Sequence, residues 1–372
     1  MIPDAYLWHM KIGIIGTRGI PNRYGGFEQF AEYAAPILVQ KGHEVTVYNS
    51  SLHPYKEANW HGVQIVSRFD PEDKIGTAGQ FIYDLNCILH ARKQNFDIIL
   101  QLGYTSSSIW SFLFPKNTKV VTNMDGLEWK RSKYSKPVQS FLKYAERLAA
   151  KNSTALIADS PGIAQYLKEK YKRESYDVAY GAELFKDGDV EYIKAFNIEP
   201  YKYYMLVARA EPENNIETII KGYLQSKASF PMLVIGNYTN GYGNYLQKKY
   251  KSENLRFTGG VYNINLLNQL RFHSLLYFHG HSVGGTNPSL LEAMASGALI
   301  AAHKNVFNEN VTQDEAFYFS TETEVTSIIN KVTDKSVYKA WLEKNFEKIN
   351  SKYKWSVIAN KLEECFFHVL EN

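Results

Sequence analysis

Three groups of residues in this chain have types and spacing suited to binding or activating a polar group. The first lies in HGHSVGGTNPSLLEAMASG, His279 to Gly297. An apolar run, Leu275 to Phe278, enters a turn holding Gly284, Gly285 and Thr286, after which Asn287 and Pro288 stand where a helix N-cap and first helical position belong. Successive backbone N–H groups in that turn, backed by the positive end of the helix, make a place for an anion such as a sugar-nucleotide diphosphate. Glu292, one turn into the helix, is placed to accept hydrogen bonds from ribose or sugar hydroxyls. The second group begins at Asp125, in DGLEWKR, at the carboxyl end of the strand Thr118 to Met124. Ligands bind at that end of an open parallel sheet, although an Asx-turn with Gly126 would account for the same dipeptide. The third is Gly25-Gly26 in TRGIPNRYGG. At a helix start these glycines either let backbone approach a phosphate or sugar or simply form the turn.

Positioning such groups takes strands whose ends lie side by side. Lys11 to Gly16, a helix from Phe27 to about Gln40, and Glu44 to Tyr48 read as strand, helix, strand. The alternation continues through strands at 62–66, 97–100, 118–124 and 154–159 and helices at 79–93, 137–151 and 161–171, which predicts a growing parallel sheet. A polar stretch, Glu183 to Pro200, interrupts it. Strands at 203–208, 232–236, 255–258, 275–278 and 299–302, with helices between them, then start a second sheet, and two helices follow Lys335. No GxGxxG follows the first strand, so a nicotinamide dinucleotide is not expected.

Several features carry a plain reading beside the chemical one. In the helix Pro137 to Lys151, Val138, Phe141, Leu142, Ala145, Leu148 and Ala149 form the packing side, while Lys136, Lys143, Arg147 and Lys151 gather on another face. With Trp129, Lys130, Arg131, Lys133 and Tyr134 this makes a basic, aromatic surface able to meet an anionic bilayer or a lipid diphosphate, or a solvated helix face. Asp187-Gly188-Asp189 spells a metal-binding DxD but reads as a solvated turn in a polar linker. His273, His279, His281 and His303 lack a carboxylate or cysteine at ligand spacing, so no metal is expected.

The totals bound the answer. A chain of 372 residues fits two domains, and 45% hydrophobic with 22% charged residues is an ordinary globular composition. A net charge of +4 is too mild for a dedicated nucleic-acid binder. Cys87 and Cys365, far apart in apolar helical patterns, read as free buried thiols in a reducing compartment. With no apolar run of about 18 residues and no signal-peptide core in MIPDAYLWHM, the cytoplasm is the expected location.

The run Asn-Pro-Ser-Leu-Leu-Glu-Ala-Met-Ala-Ser-Gly resembles the donor-binding segment of GT-B glycosyltransferases of family GT4. The resemblance implies an α/β protein with two Rossmann-like domains facing a central cleft: an acceptor domain over 1–182, with 1–9 as an extension, a nucleotide-sugar donor domain over 183–350, and a final helix, 351–372, crossing back to the first domain. That family carries two glutamates with seven residues between them, and counting back from Glu292 lands on Gly284. The contact of the first glutamate is then absent or supplied by Ser282, His281 or a backbone amide. In ARAEPENN, Ala208 to Asn215, the family places an arginine and a lysine on the donor diphosphate; Arg209 matches, and the lysine position is Asn214. Lys304 or loop amides would have to compensate.

RGIPNRYGGFE and DGLEWKRSKYSKPVQ together resemble a bacterial branch that adds L-rhamnose to a lipid-diphosphate-linked sugar. The resemblance implies a dTDP-rhamnose donor, retention at the anomeric carbon, no metal or other cofactor, and work on the inner face of the plasma membrane. Asp125 and Arg209 are its catalytic candidates. Gly25, Gly26, Arg209, Asn214, Ser282, Gly284, Gly285, Thr286, Asn287 and Glu292 are its donor-binding candidates, and Asp125, Glu128, Trp129, Lys130 and Arg131 face the acceptor and an anionic membrane. A transferase using UDP-glucose or UDP-GlcNAc, and a noncatalytic sugar-nucleotide-binding protein, are the alternatives.

Overall fold

The structure, a computed structural model, describes residues 9–131 and 134–371. Residues 1–8 of the expected extension, and Lys133 of the basic surface, lie outside the described residues. The chain divides into two compact units, one drawn from Met1–Trp129, Ser135–Tyr180 and Trp355–Asn372, the other from Lys130–Tyr134 and Gly181–Lys354.

The first unit is built on eight strands: β1 (Lys11–Ile15), β2 (Glu44–Ser50), β3 (Asn59–Trp60), β4 (Val63–Arg68), β5 (Ile98–Leu102), β6 (Lys119–Asn123), β7 (Ala155–Ala158) and β8 (Tyr176–Asp177). They lie in the order β3-β4-β2-β1-β5-β6-β7-β8. Every pairing is parallel except β3 with β4. IILQL in β5 is buried at every residue, the pattern of a strand covered on both faces. The chain winds outward from β1 through β2 to β4, then returns to the other side of β1 at β5, so the loops after β1 and β5 diverge at a topological switch point. Gly16 ends β1 with φ +85°, and a Cβ there would stand 2.2 Å from the Leu102 carbonyl oxygen, so this close approach requires glycine.

The last helix, Trp355–Glu371, belongs to this unit. Trp355 is buried and stacks on Tyr33 of the first helix, Gly26–Gln40, with ring centroids 5.0 Å apart. Glu363 takes Lys41 at 2.7 Å and His43 at 2.9 Å. Cys87 and Cys365 are both buried and free.

The second unit holds β9 (Tyr204–Val207), β10 (Met232–Ile235), β11 (Leu255–Gly259), β12 (Leu276–His279), β13 (Ile300–His303) and β14 (Phe317–Phe319), all parallel, in the order β11-β10-β9-β12-β13-β14. MLVI and LYFH, in β10 and β12, are wholly buried. The winding repeats that of the first sheet, and its switch point falls between β9 and β12. The 187–189 stretch is exposed, as its composition suggests, and its backbone is also anchored. The Asp189 N–H donates to Gln269 Oε1 at 2.8 Å, Gln269 Nε2 donates to the Asp187 carbonyl, and Gly188 lies under the Phe272 ring. The residue types are polar, but the segment docks on the helix Ile264–His273.

Lys335 is buried nearby, with Nζ donating to the Phe272 carbonyl at 2.7 Å and lying over the Tyr201 and Phe272 rings. Burial lowers its pKa to about 7. The unfolded chain takes up that proton near pH 10.4, so between about pH 7 and that value the unfolded state binds more protons and stability rises with pH. Lys335→Met is therefore expected to be the more stable form at pH 6, with the advantage shrinking towards pH 10. Urea midpoints of both proteins across this range check it.

Candidate functional site

At the switch point of the second sheet, the loop after β9 and the loop after β12 are joined side by side. Asn215 Nδ2 donates to the Gly280 carbonyl at 2.8 Å, and the N–H and hydroxyl of Ser282 both donate to the Glu213 carbonyl, at 3.0 and 2.7 Å. Gly280 lies so close that an added Cβ would be 2.0 Å from the Asn214 carbonyl oxygen. Asn214 is buried, and its amide donates to the Arg209 carbonyl at 2.8 Å. At the position where the family resemblance calls for a lysine, this chain has a residue that shapes the Arg209 loop. Ser282 likewise has its hydroxyl turned into the loop junction. Arg209 itself is exposed and makes no side-chain hydrogen bond or ion pair among the described residues.

The 280–287 loop is also tied on its other side, where Asn305 Nδ2 and Asn308 Nδ2 donate to the His281 carbonyl at 3.1 and 3.0 Å. Its glycines follow. Gly284 has φ +130°, a conformation side chains rarely adopt, although space for a Cβ is open. The absent glutamate is therefore a property of the backbone path as well as of the residue type. The N–H groups of Gly284 and Gly285 donate to no protein acceptor among the described residues. Thr286 is buried, and Asn287 caps the helix Pro288–Ala295 by accepting the Ser289 N–H at 2.9 Å. Glu292, one turn on, is ion-paired with Arg271 at 2.6 Å. Lys304 emerges exposed at the end of the adjacent β13.

His279 and His281 stack with centroids 4.4 Å apart. Burial first, and the Arg209 guanidinium next, push His281 down to about 3; burial holds His279 well below its ordinary value. Both rings are thus neutral near pH 7. Both nitrogens of His279, and Nδ1 of His281, are buried without a hydrogen-bond partner. Among the described residues no group of three or more His, Cys, Asp or Glu could hold a metal ion.

The carboxyl edge of the first sheet gathers the opposite charge. Asp125 follows β6 with φ +51°, its N–H donating to Asn123 Oδ1 at 2.9 Å, so Asn123 takes part in setting the local turn. Burial raises the Tyr180 hydroxyl pKa well above its ordinary value, and Asp125, Asp159, Glu28 and Glu128 each add to that. Glu28, buried near the start of the first helix, accepts the Arg18 N–H at 2.8 Å, and burial raises its carboxyl pKa. Gly26, whose Cβ would stand 3.1 Å from the Tyr180 hydroxyl, is a packing glycine.

The DGLEWKR motif divides between the units, with Asp125, Glu128 and Trp129 in the first and Lys130 and Arg131 in the second. The Trp129 indole N–H donates inward to Glu146 Oε2 at 3.0 Å. Glu146, buried mid-helix in Lys136–Asn152, also accepts Tyr166 at 2.6 Å, Tyr171 at 2.5 Å, Lys170 at 3.0 Å and Tyr104 at 3.4 Å. Its place between Leu142, Ala145 and Ala149 on the apolar stripe was the available signal. Val138, assigned to the packing side, is 40% exposed, because the buried stripe shifts to Leu142, Ala145, Glu146, Ala149 and Ala150. Lys136, Lys143, Arg147 and Lys151 are exposed, and Lys143 lies over the Trp129 ring at 4.4 Å.

Two doubly wound, largely parallel sheets in one chain, with 14 strands among the described residues, recur in solved proteins. HepE from Anabaena, in complex with UDP-glucose, superposes with a TM-score of 0.76 at 15% identity over 97% of this chain and 100% of that chain. The chain has the GT-B fold. Sucrose-phosphate synthase from Thermosynechococcus elongatus gives a TM-score of 0.78 at 14% identity over 98% of this chain and 100% of that one. A glycosyltransferase from Rickettsia africae gives 0.67 at 13% over 98% and 99%. At these identities the likeness establishes the fold. A family described as "Domain of unknown function (DUF1972)" matches residues 9–183. No curated protein matches the sequence.

Removing the Glu146 carboxylate leaves three tyrosine hydroxyls, an indole N–H and an ammonium without their acceptor. Glu146→Leu is expected to lose about 3 kcal/mol of stability. It should also red-shift Trp129 fluorescence as the 125–131 loop loosens. Urea unfolding with emission spectra, in a protein whose other five tryptophans are replaced by Phe, reads both.

Proposed function

We propose that the protein is a glycosyltransferase which moves a sugar from a nucleotide-sugar donor to a lipid-diphosphate-linked saccharide, with retention and without a metal ion. The observation carrying this reading is the pair of joined loops at the β9/β12 switch point: exposed Arg209 on one, and on the other the Gly284 and Gly285 N–H groups leading to the helix capped by Asn287. A fixed cation with oriented amides is what a departing diphosphate needs, and it supplies the stabilisation otherwise given by a divalent ion. Neutral His281, beside Arg209, adds a hydrogen-bonding group and no charge.

The donor proposed first is dTDP-L-rhamnose, supported by the resemblance of RGIPNRYGGFE and DGLEWKRSKYSKPVQ to rhamnose-adding enzymes. UDP-glucose is the second, supported by its presence in the HepE complex. Asp125 is assigned to the acceptor hydroxyl, which it orients or deprotonates, and Arg209 to the leaving diphosphate; the carboxylates around Tyr180 suit a hydroxyl-rich acceptor. Arg209→Ala is expected to lower kcat/KM by about 2 to 4 kcal/mol in transition-state terms. Nucleoside diphosphate release, assayed in EDTA with dTDP-rhamnose, UDP-glucose, UDP-GlcNAc and GDP-mannose, measures that loss and selects the donor. Full activity of Arg209→Ala, or activity restored only by Mg²⁺ or Mn²⁺, would reject the assignment.

The acceptor's lipid places the proposed reaction at the inner face of the plasma membrane. No helix among the described residues is long and apolar enough to cross a membrane. The surface offered for contact is the basic stripe Lys136, Lys143, Arg147 and Lys151, with Tyr144 half-exposed beside it and Phe112, 74% exposed, on the turn Ser108–Leu113 that packs against the same helix. Each cation near an anionic surface contributes about 1 kcal/mol and is screened within a Debye length. Sedimentation with phosphatidylglycerol vesicles should fall with salt and with Lys143→Glu/Arg147→Glu. Equal binding to neutral vesicles would remove the membrane assignment.

A further inference from the structure

Beneath the Pro288–Ala295 helix lies a buried charge whose partner the sequence pattern does not announce. Arg271, in the helix Ile264–His273, is fully buried. Its Nη1 donates to Asn268 Oδ1 at 2.9 Å; its Nη2 donates to Ser289 Oγ at 3.3 Å and pairs with Glu292 Oε2 at 2.6 Å. Ser289 Oγ in turn meets the Tyr277 hydroxyl at 2.8 Å, and the Tyr277 ring lies 6.0 Å from the guanidinium carbon. A guanidinium withdrawn from water needs a counter-charge within contact distance, and Glu292, with a side chain 14% exposed, is the carboxylate paired with it.

This pairing changes what Glu292 is. A glutamate on the surface of a helix samples several rotamers and loses that freedom when it binds something. Here one carboxylate oxygen is held by a planar fork that is itself fixed by Asn268 on its own helix and Ser289 on the next, so the carboxylate has a set orientation before any ligand arrives. The same fork ties the helix that opens at the Gly284–Thr286 turn to the helix that precedes β12. Turn and carboxylate are thereby set from one buried group.

We propose that Arg271 is a positioning residue of the donor site, presenting the Glu292 carboxylate to a pair of neighbouring hydroxyls on the nucleotide-sugar. The inference rests on the donor-site reading given above. Neighbouring hydroxyls occur on the transferred sugar of every donor considered and on the pentose only of the ribonucleotides, since the deoxyribose of dTDP has a single free hydroxyl, and the ligands used in the test separate the two. Arg271 touches no substrate and acts only through Glu292 and the helix it holds.

The experiment is calorimetric titration of wild type, Arg271→Lys, Glu292→Leu and the double variant Arg271→Met/Glu292→Leu with UDP, dTDP, GDP and UDP-glucose, each protein also being melted to obtain its Tm. Arg271→Lys keeps a cation opposite Glu292 and loses the fork, so it should stay folded while nucleotide affinity falls at least about fivefold. A loss seen with UDP points to the ribose hydroxyls, and a loss confined to UDP-glucose points to those of the transferred sugar. Glu292→Leu should lower Tm by leaving the guanidinium unpaired, and the double variant should regain Tm without regaining affinity. A folded Arg271→Lys with less than that loss overturns the proposal, as does a Glu292→Leu protein as stable as the double variant. Failure of wild type to bind any of the four ligands overturns instead the donor-site reading on which the proposal stands.

Discussion

The arrangement of the second unit depends on a close approach at Gly280. The chain leaves β12 so near the loop after β9 that only a hydrogen atom fits opposite the Asn214 carbonyl, and the two loops then hydrogen-bond through Asn215 and Ser282. Without that approach the 280–287 loop would have no fixed relation to Arg209, and a cation with two oriented N–H groups would be separate features on a mobile edge. A preorganised pair loses little entropy on binding a diphosphate, whereas flexible groups must be ordered at the moment of use. Asn214 contributes from below. Its amide holds the Arg209 carbonyl, so the asparagine at this position helps to fix the path of the loop.

Both sheets are wound by the same rule, and their carboxyl edges carry opposite chemistry. The order β4-β2-β1-β5 repeats as β11-β10-β9-β12, with the chain doubling back beside its first strand each time. The second edge holds an exposed arginine, amides and two neutral imidazoles. The first holds Asp125, Asp159, Glu28 and Glu128 around Tyr180. One fold thus yields one edge with an exposed cation and free amides and another lined by carboxylates, because the sheet supplies only the edge and the loop residues decide its charge.

Buried charges in this protein lie under the loops that matter. Glu146 collects five donors and, through Trp129, fixes the segment after Asp125. Glu28 holds the Arg18 N–H, and Arg271 pairs with Glu292. In each case one buried polar group demands specific partners, and the penalty for any other arrangement keeps the overlying loop in one conformation. Apolar packing alone is less directional and leaves such loops more states to visit.

Much of this was legible in the sequence because it is local. Runs such as KIGII and MLVI are strands by length and β-branching, Asn287-Pro288 is a helix start by capping chemistry, and Gly284-Gly285 is a turn because other residues resist that backbone path. The alternation of these elements was enough to predict two doubly wound sheets. What the sequence could not decide is which distant groups meet. Asn214 read as a displaced ligand position until its amide was found on Arg209; Trp129 read as a surface aromatic until its indole was found on Glu146; Glu292 read as a lone acceptor until Arg271 was found beneath it. Glu146 and Arg271 both interrupt apolar stripes, which marks them as buried and says nothing of their partners. Those partners lie 17 to 25 residues away for Trp129, Lys170, Tyr166 and Tyr171, and on the next helix for Glu292. Propensity and periodicity reach about one helical turn along the chain. The pairing of buried charges is settled only when the sheets have closed and water has been excluded, since the electrostatic penalty that selects the partners does not exist in the unfolded chain.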